Sequence, residues 1–194
     1  MRQSQLQEKI QKLAVLGIFT ALVAILSYFG GFIKIGGLAS ISLTLIPVVL
    51  GAALYGPFAG AWLGFVSAVV FFITPDAAFW FGLSLHGTII TVVIKGVLAG
   101  LCAGIVFDLL ERVNRYLAVI AAAVVCPIVN TGVFLLGCLT FFSEYINSAA
   151  SAGEMSVFGL LIFVFVGLNF VFELVANIVL SPALLRLLNA TSKK

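Results

Sequence analysis

Charged residues are scarce in this sequence. Lysine, arginine, aspartate and glutamate together make up 9% of the 194 residues, whereas hydrophobic residues make up 63%. The mean hydropathy is +1.28. A water-soluble domain of this length could not bury so much apolar surface, so the composition predicts a protein whose surroundings are lipid.

The sequence motifs of several common enzyme classes are also missing. There is no glycine-rich phosphate loop ending in Lys-Ser or Lys-Thr, no Cys-x-x-Cys pair and no His-Glu-x-x-His. A single histidine cannot form a histidine-rich metal site. We therefore expect no enzyme activity, no cofactor, no metal site and no nucleic-acid partner. Any uphill transport would take its energy from a partner protein or from a coupled ion.

The cysteines do not indicate disulfide bonds, and the N-terminal segment does not indicate a cleaved signal peptide. The three cysteines, Cys102, Cys126 and Cys138, lie inside apolar stretches, which indicates small buried side chains and no disulfide framework. The basic N-terminal segment precedes an apolar run that is longer than a signal-peptide core, and no convincing small-residue cleavage site follows it. We expect this segment to be a retained first helix.

Long uncharged stretches predict the membrane spans. No charged residue lies between Lys12 and Lys34, a stretch long enough for one helix across ~30 Å of hydrocarbon. The next uncharged stretch, residues 35–75, is too long for one span and contains Gly56-Pro57, which predicts a turn. The sequence thus predicts an all-α membrane protein, a single domain of six transmembrane helices. The predicted spans lie near residues 12–30, 40–55, 57–74, 84–107, 117–141 and 156–180.

Basic residues predict the orientation of this bundle. With six spans, Lys34 falls on one side and Lys95 inside the membrane, while the other basic residues share the opposite side. The positive-inside rule then places both termini in the cytoplasm. The residues on the cytoplasmic side are Arg2, Lys9, Lys12, Arg112, Arg115, Arg186, Lys193 and Lys194.

Polar residues inside the spans are the candidates for function, because each needs a partner or a wet cavity in lipid. Lys95, Asn130 and Asn169 lie at similar depths, about 16 to 20 Å from the outer ends of their helices. Glu173 is one turn deeper than Asn169 on the same face. This pattern predicts a polar pocket in the C-terminal half. Alternatively, Lys95 and Glu173 form a structural pair that neutralises itself.

The segment "ITPDAAFWFGLSLHG", residues 73–87, is predicted to be an outer loop, as is the segment 143–156. The aromatic side chains of the segment 73–87 either mark the membrane interface or cover a ligand, and both interpretations remain open. His86 is equally compatible with a solvated position and with ligand contact. The predicted substrate-binding residues are Lys95, Asn130, His86, Trp80, Thr91, Asn169 and Glu173.

The N-terminal half is nearly free of buried charge and rich in small residues. Gly17-x-x-x-Ala21 in the first span is a small-xxx-small step, and the segment "GPFAGAWLG" at 56–64 repeats small residues. Such steps let two helices approach closely, within one chain or between chains. We expect this half to serve docking and the C-terminal half to serve binding.

In their order along the chain, three segments resemble the S components of energy-coupling factor transporters, small six-helix vitamin-capture proteins of prokaryotes. "IPVVLGAALYGPFAGAWLGFVSAVV" at 46–70 is similar to their second and third helices. "KGVLAGLCAGIVFDLL" at 95–110 and "CPIVNTGVFLLGCLTFF" at 126–142 are similar to the fourth and fifth helices.

The resemblance implies a substrate-specific subunit of the prokaryotic plasma membrane. Family members dock on a transmembrane T component through Ala-x-x-x-Ala in the first helix, and this chain has Gly17-x-x-x-Ala21 at the matching place. Two cytoplasmic ATPases drive the transport, which would explain the missing nucleotide motif. The ligand would lie toward the outer side, near Lys95, Asn130 and the segment 76–86.

The sequence predicts the identity of the substrate less precisely than the protein family. A buried lysine beside an asparagine suits a carboxylate on a hydroxylated ligand, which favours pantothenate. Riboflavin, a pyridoxine-type vitamin, folate and cobalamin remain alternatives, as does a stand-alone ion-coupled secondary transporter in which Lys95 and Glu173 couple the ion.

Overall fold

The computed structural model describes residues 2–30 and 44–191, and regular structure in these ranges is helical. The predicted position of Lys34 and the predicted start of the second span at residue 40 lie outside the described residues. The helices are α1 (Arg2–Gly30), α2 (Leu45–Tyr55), α3 (Pro57–Phe71), α4 (Pro75–Leu83), α5 (Leu85–Glu111), α6 (Arg115–Phe141), α7 (Ser143–Ala152), α8 (Val157–Gly159), a π-helical segment (Leu160–Val166) and α9 (Gly167–Thr191).

An all-α membrane protein is confirmed at the level of helix length and composition. Within residues 2–30 and 44–191, three helices are long and apolar enough to cross a membrane alone, namely Ile10–Gly30, Leu85–Glu111 and Arg115–Phe141. The count rises to five if each of two bent helix pairs is one span. One pair joins α3 to α4 at 83°, and the other joins α7 to Val157–Phe163 at 101°. Six spans therefore remain a prediction.

Glycine and proline set the helix boundaries that the sequence predicted. Gly56, with a φ of 90°, ends α2 in a backbone conformation that favours glycine. Pro57 then begins α3, where its missing N–H leaves no hydrogen bond unmade. At the start of α6, Asn114 Oδ1 accepts hydrogen bonds from the backbone N–H groups of Tyr116 at 2.8 Å and Leu117 at 3.3 Å.

The two outer segments differ from the sequence prediction, because both are largely helical where we expected loops. The first is α4, which starts with Pro75 and has Asp76 in its first turn. The second is α7, which has Glu144 in its first turn. Proline at the first helical position and an acidic residue near the positive end of the helix dipole both favour a helix start.

The helix α5 lies at the centre of the fold, packed against α3 on one flank and α6 on another. Its crossing with α3 brings backbone onto backbone. A Cβ added at Gly64 would meet the carbonyl oxygen of Gly96, and a Cβ at Gly60 would meet that of Gly100. The small residues of α3 therefore serve internal packing, because only glycine leaves room for this approach.

Contacts at the ends of the helices show which turns share an end of the bundle. The Lys12 ammonium of α1 lies 5.6 Å from the ring centroid of Tyr55 at the end of α2. Near the same turn, Gly104 of α5 packs against Pro57. Residues 56–57 and the C-terminal part of α5 thus lie at one end. This arrangement agrees with the side on which the positive-inside rule groups the basic residues.

The opposite end of the bundle joins α4, α5, α6 and α7. Gly87 at the start of α5 packs against Phe141 at the end of α6. The rings of Phe79 and Tyr145 meet edge to face with their centroids 5.5 Å apart. The two bent helix pairs therefore meet at the end that the sequence assigned to the outside.

We predict that Gly64→Ala destabilises the fold by about 1–3 kcal/mol, because its methyl group would strike the Gly96 carbonyl across the α3–α5 crossing. The measurement is thermal unfolding of the purified protein in detergent. The matched control is Gly132→Ala in α6, where an added Cβ meets no described atom within 4 Å. This control should gain up to about 1 kcal/mol from helix propensity. Equal effects at the two positions would contradict a tight crossing.

Candidate functional site

Lys95 lies near the middle of α5, partly buried, with its side chain between two aromatic residues of neighbouring helices. Its Nζ atom lies 5.3 Å from the ring centroid of Phe134 on α6 and 5.7 Å from that of Phe71 on α3. Both distances fall within the range of a cation–π contact. The cost of placing this charge at membrane depth is therefore partly offset by two neutral ring faces.

Glu173 on α9 adds an opposite charge to this region. Its side chain is 6% exposed, and its carboxylate attracts the Lys95 ammonium electrostatically. One turn further on, the amide nitrogen Nδ2 of buried Asn177 donates a 2.8 Å hydrogen bond to the Glu173 backbone carbonyl. Lys95 thus has an opposite charge on α9 in addition to the two ring faces. That these residues form a substrate site stays a prediction.

Thr91 lies one turn before Lys95 on the same face of α5. The residue is 4% exposed, and no described atom forms a hydrogen bond with its buried Oγ1. It faces Gly137 of α6, where an added Cβ would collide with the threonine side chain. A buried hydroxyl without a partner is costly, so a contact from outside the described residues would stabilise it.

Asn130 is a buried polar residue of α6, at 9% exposure. It lies one turn before Phe134, so the two residues share a face of the helix. Asn169 belongs to α9, one turn before Glu173, but its side chain lies outside the described residues.

Trp80 is buried in a cluster of aromatic rings at the end of the bundle that the sequence assigned to the outside, called the outer end below. Its ring meets those of Phe134 and Phe142 edge to face, with centroids 5.4 Å and 5.1 Å apart. The Thr88 hydroxyl donates a 2.8 Å hydrogen bond to the Trp80 backbone carbonyl, which ties α4 to α5. Trp80 thus packs directly behind one of the two rings that contact Lys95.

His86 lies on the exposed side of the first turn of α5. It is nine positions before Lys95, about 13 Å along the helix axis, and outside the buried stripe that carries Thr91. The structure therefore does not bring this histidine to the Lys95 region.

A cleft of about 360 Å³ opens at the outer end, beside the aromatic cluster of Trp80. Phe142 belongs both to its lining and to that cluster. The lining of this cleft includes none of the predicted substrate-binding residues whose side chains the structure describes. The lining residues are Gly82, Leu83, Thr140, Phe141, Phe142, Ser143, Glu144 and Tyr145.

The sequence prediction missed Phe71 and Phe134, the two residues that contact the lysine most directly. Phe134 carried a usable signal, because it follows Asn130 by one turn in a segment already assigned to the pocket. Phe71 carried none, since eighteen phenylalanines are spread over the chain. Only the three-dimensional packing of α3 against α5 places its ring near Lys95.

The predicted docking step, Gly17 and Ala21, lies on an exposed face of α1. A Cβ added at Gly17 would meet no described atom within 4 Å. The small residues of this step thus take no part in the described internal packing, unlike those of α3.

Chemically, the Lys95 region offers an ammonium group, a carboxylate, an amide and a free hydroxyl in a largely apolar setting. Such a set can bind a polar or anionic small molecule. Among residues 2–30 and 44–191, no group of three or more histidine, cysteine, aspartate or glutamate residues is placed to hold a metal ion.

The sequence of residues 11–185 matches the protein family described as "ECF transporter, substrate-specific component". This match spans most of the chain, so the protein belongs to that family. The resemblance found from three sequence segments is thereby confirmed. Comparisons with curated proteins and with solved structures gave no match.

We predict that Thr91→Val stabilises the ligand-free protein by about 1 kcal/mol, because it replaces an unpartnered buried hydroxyl with a methyl group of the same shape. Thermal unfolding in detergent is the measurement. The matched control is Thr88→Val on the same helix, which is also buried but donates to the Trp80 and Ser84 carbonyls at 2.8 and 2.7 Å. The control should lose about 1 kcal/mol. Equal losses would show that the Thr91 hydroxyl has a partner after all.

Proposed function

We propose that this S component captures a water-soluble vitamin on the outer side of the prokaryotic plasma membrane. The observation that carries this proposal is the Lys95 ammonium, held inside a membrane bundle close to the buried polar residues Thr91 and Glu173. An ionisable residue inside a membrane bundle is a candidate for function by default, and a structural pair with Glu173 is the alternative.

Pantothenate is the substrate that we favour. Its carboxylate would accept charge-assisted hydrogen bonds from Lys95, and its hydroxyl and amide groups would use Thr91 and Asn130. Glu173 weighs against a ligand with several negative charges. Riboflavin, a pyridoxine-type vitamin, folate and cobalamin remain alternatives within the same class, since the aromatic cluster near the site would also accept a flat ring.

Delivery of the vitamin requires partners in this proposal. A transmembrane T component would bind the exposed Gly17–Ala21 step of α1, and two cytoplasmic ATPases would supply the energy. Six spans with both termini in the cytoplasm would place that step and the basic turns on the side of the ATPases. A stand-alone ion-coupled transporter is the alternative. It would keep its uptake without any ATPase partner and lose it with the ion gradient.

We predict that the protein purified in mild detergent carries a stoichiometric small molecule at the mass of a vitamin. Native mass spectrometry checks this, and a panel of added vitamins tests any protein that purifies empty. Protein that stays empty with every vitamin of the panel would contradict vitamin capture, and ion-coupled flux would then be the next assay.

If Lys95 binds the ligand, Lys95→Ala should weaken vitamin binding strongly while the variant still purifies as a folded monomer. The alternative of a structural pair gives a different pattern. In that case Lys95→Ala should destabilise the fold, and Glu173→Gln added to it should restore much of the loss, because an unpaired buried charge would be removed. Binding isotherms and thermal unfolding of the same three proteins separate the two cases.

For docking, we predict that Ala21→Phe spares vitamin binding and abolishes transport in the assembled complex, because a bulky side chain blocks close approach of a second helix. The matched control is Leu22→Phe, an enlargement at an exposed position of α1 about 100° around the helix from Ala21. Uptake in cells and binding to the purified S component are measured in parallel. Loss of binding in Ala21→Phe would argue against separate docking and binding halves.

A further inference from the structure

We propose that Phe71 and Phe134 are positioning residues that hold the Lys95 ammonium ready for a carboxylate and so make the site prefer an acid to its neutral analogue. The inference rests on the proposed function, since it assumes that Lys95 faces the substrate. Its structural basis is the pair of ring contacts, at 5.7 and 5.3 Å from Nζ.

The two rings come from helices that are fixed relative to α5. Phe71 ends α3, which is locked to α5 by the Gly60–Gly100 and Gly64–Gly96 contacts. Lysine has a flexible four-carbon stem and loses much rotamer freedom when it is ordered. Rings on two fixed helices can order this stem before any ligand arrives, which lowers the entropic cost of binding.

A ring face and a carboxylate leave different parts of an ammonium group, its N–H donors and its charge, available to a ligand. An ammonium group has three N–H donors and no acceptor. A salt bridge to a carboxylate uses such donors and cancels the charge, whereas a ring face attracts the charge and remains neutral. Phe71 and Phe134 thus stabilise the Lys95 cation without neutralising it. The Glu173 carboxylate attracts the same ammonium. Because an ammonium group has three N–H donors, a ligand carboxylate can share it with Glu173, whereas a neutral ligand gains much less from it.

Phe134 is itself supported from behind. The ring of Trp80 meets it edge to face at 5.4 Å with an interplanar angle of 86°, and Trp80 is 7% exposed. On the other side of the site, the Phe71 carbonyl accepts a 2.7 Å hydrogen bond from the Thr74 hydroxyl at the bend between α3 and α4. The Phe134 ring and the Phe71 backbone are therefore each held by a contact that does not involve the lysine.

The first test requires no ligand. Lysines of the full-length protein in detergent are reductively methylated with ¹³C-formaldehyde, which keeps the positive charge, and the Lys95 methyl signal is assigned with Lys95→Arg. We expect an upfield ring-current shift at Lys95 that is partly lost in Phe134→Leu and in Phe71→Leu. It should persist in Phe65→Leu, the matched control on α3, whose ring meets that of Trp62 at 6.1 Å. An unchanged Lys95 signal in both site variants would overturn the proposal.

The second test measures selectivity with pantothenate and the neutral alcohol in which CH₂OH replaces its carboxylate. Phe134→Leu should weaken pantothenate binding about tenfold and leave binding of the alcohol nearly unchanged, because only the charged ligand uses the positioned ammonium. Phe134→Tyr, which keeps a ring face, should restore the preference. A purely structural role would instead weaken both ligands together, and that result would overturn the proposal.

The two tests also separate this inference from the proposed function. Wild-type protein that binds pantothenate, with a preference unchanged in Phe134→Leu, refutes the positioning role alone. Wild-type protein that binds no carboxylate vitamin refutes pantothenate as the substrate and, with it, the selectivity role of the rings, whereas protein that stays empty with every vitamin of the panel refutes the proposed capture itself. The methyl spectrum then still decides whether the rings hold the ammonium.

Discussion

The backbone contact between α3 and α5 is the constraint on which the rest of the structure depends. Glycines at 60 and 64 meet glycines at 100 and 96, so the two helices touch without intervening side chains. Lipid supplies no hydrophobic force between helices, and such close packing is how a membrane bundle gains cohesion. With α5 fixed in this way, the polar residues on its face have a defined position relative to α6 and α9.

The sequence predicted a membrane protein with polar residues inside its bundle. Both predictions rest on the scarcity and the positions of charged residues. Lysine and glutamate are so rare here that their depths could be estimated by counting residues along each span. The partners of Lys95 could not be found in this way. Phenylalanine is abundant and has no sequence signature that separates a ring facing lipid from one facing a cation. Phe71 therefore emerged only from packing, and the sequence signal of Phe134 was its place one turn after Asn130.

Two neighbouring threonines of α5 show why even a correct list of polar residues is incomplete. Thr88 and Thr91 are equally buried and equally polar in the sequence, but the hydroxyl of Thr88 is satisfied within the protein and that of Thr91 is not. The difference depends on side-chain direction and on Gly137 across the helix crossing. Hydrogen-bond satisfaction thus separates a structural residue from a candidate ligand contact.

The two bent helix pairs affect how the outer end of the bundle can be open to water while lipid surrounds it. Both α4 and α7 turn sharply away from the helices to which they are joined, by 83° and 101°. An irregular loop at this level would expose peptide groups that hydrocarbon cannot hydrate. A short helix closes these hydrogen bonds within itself. The chain can therefore surround a water-accessible entrance with backbone that needs no water of its own.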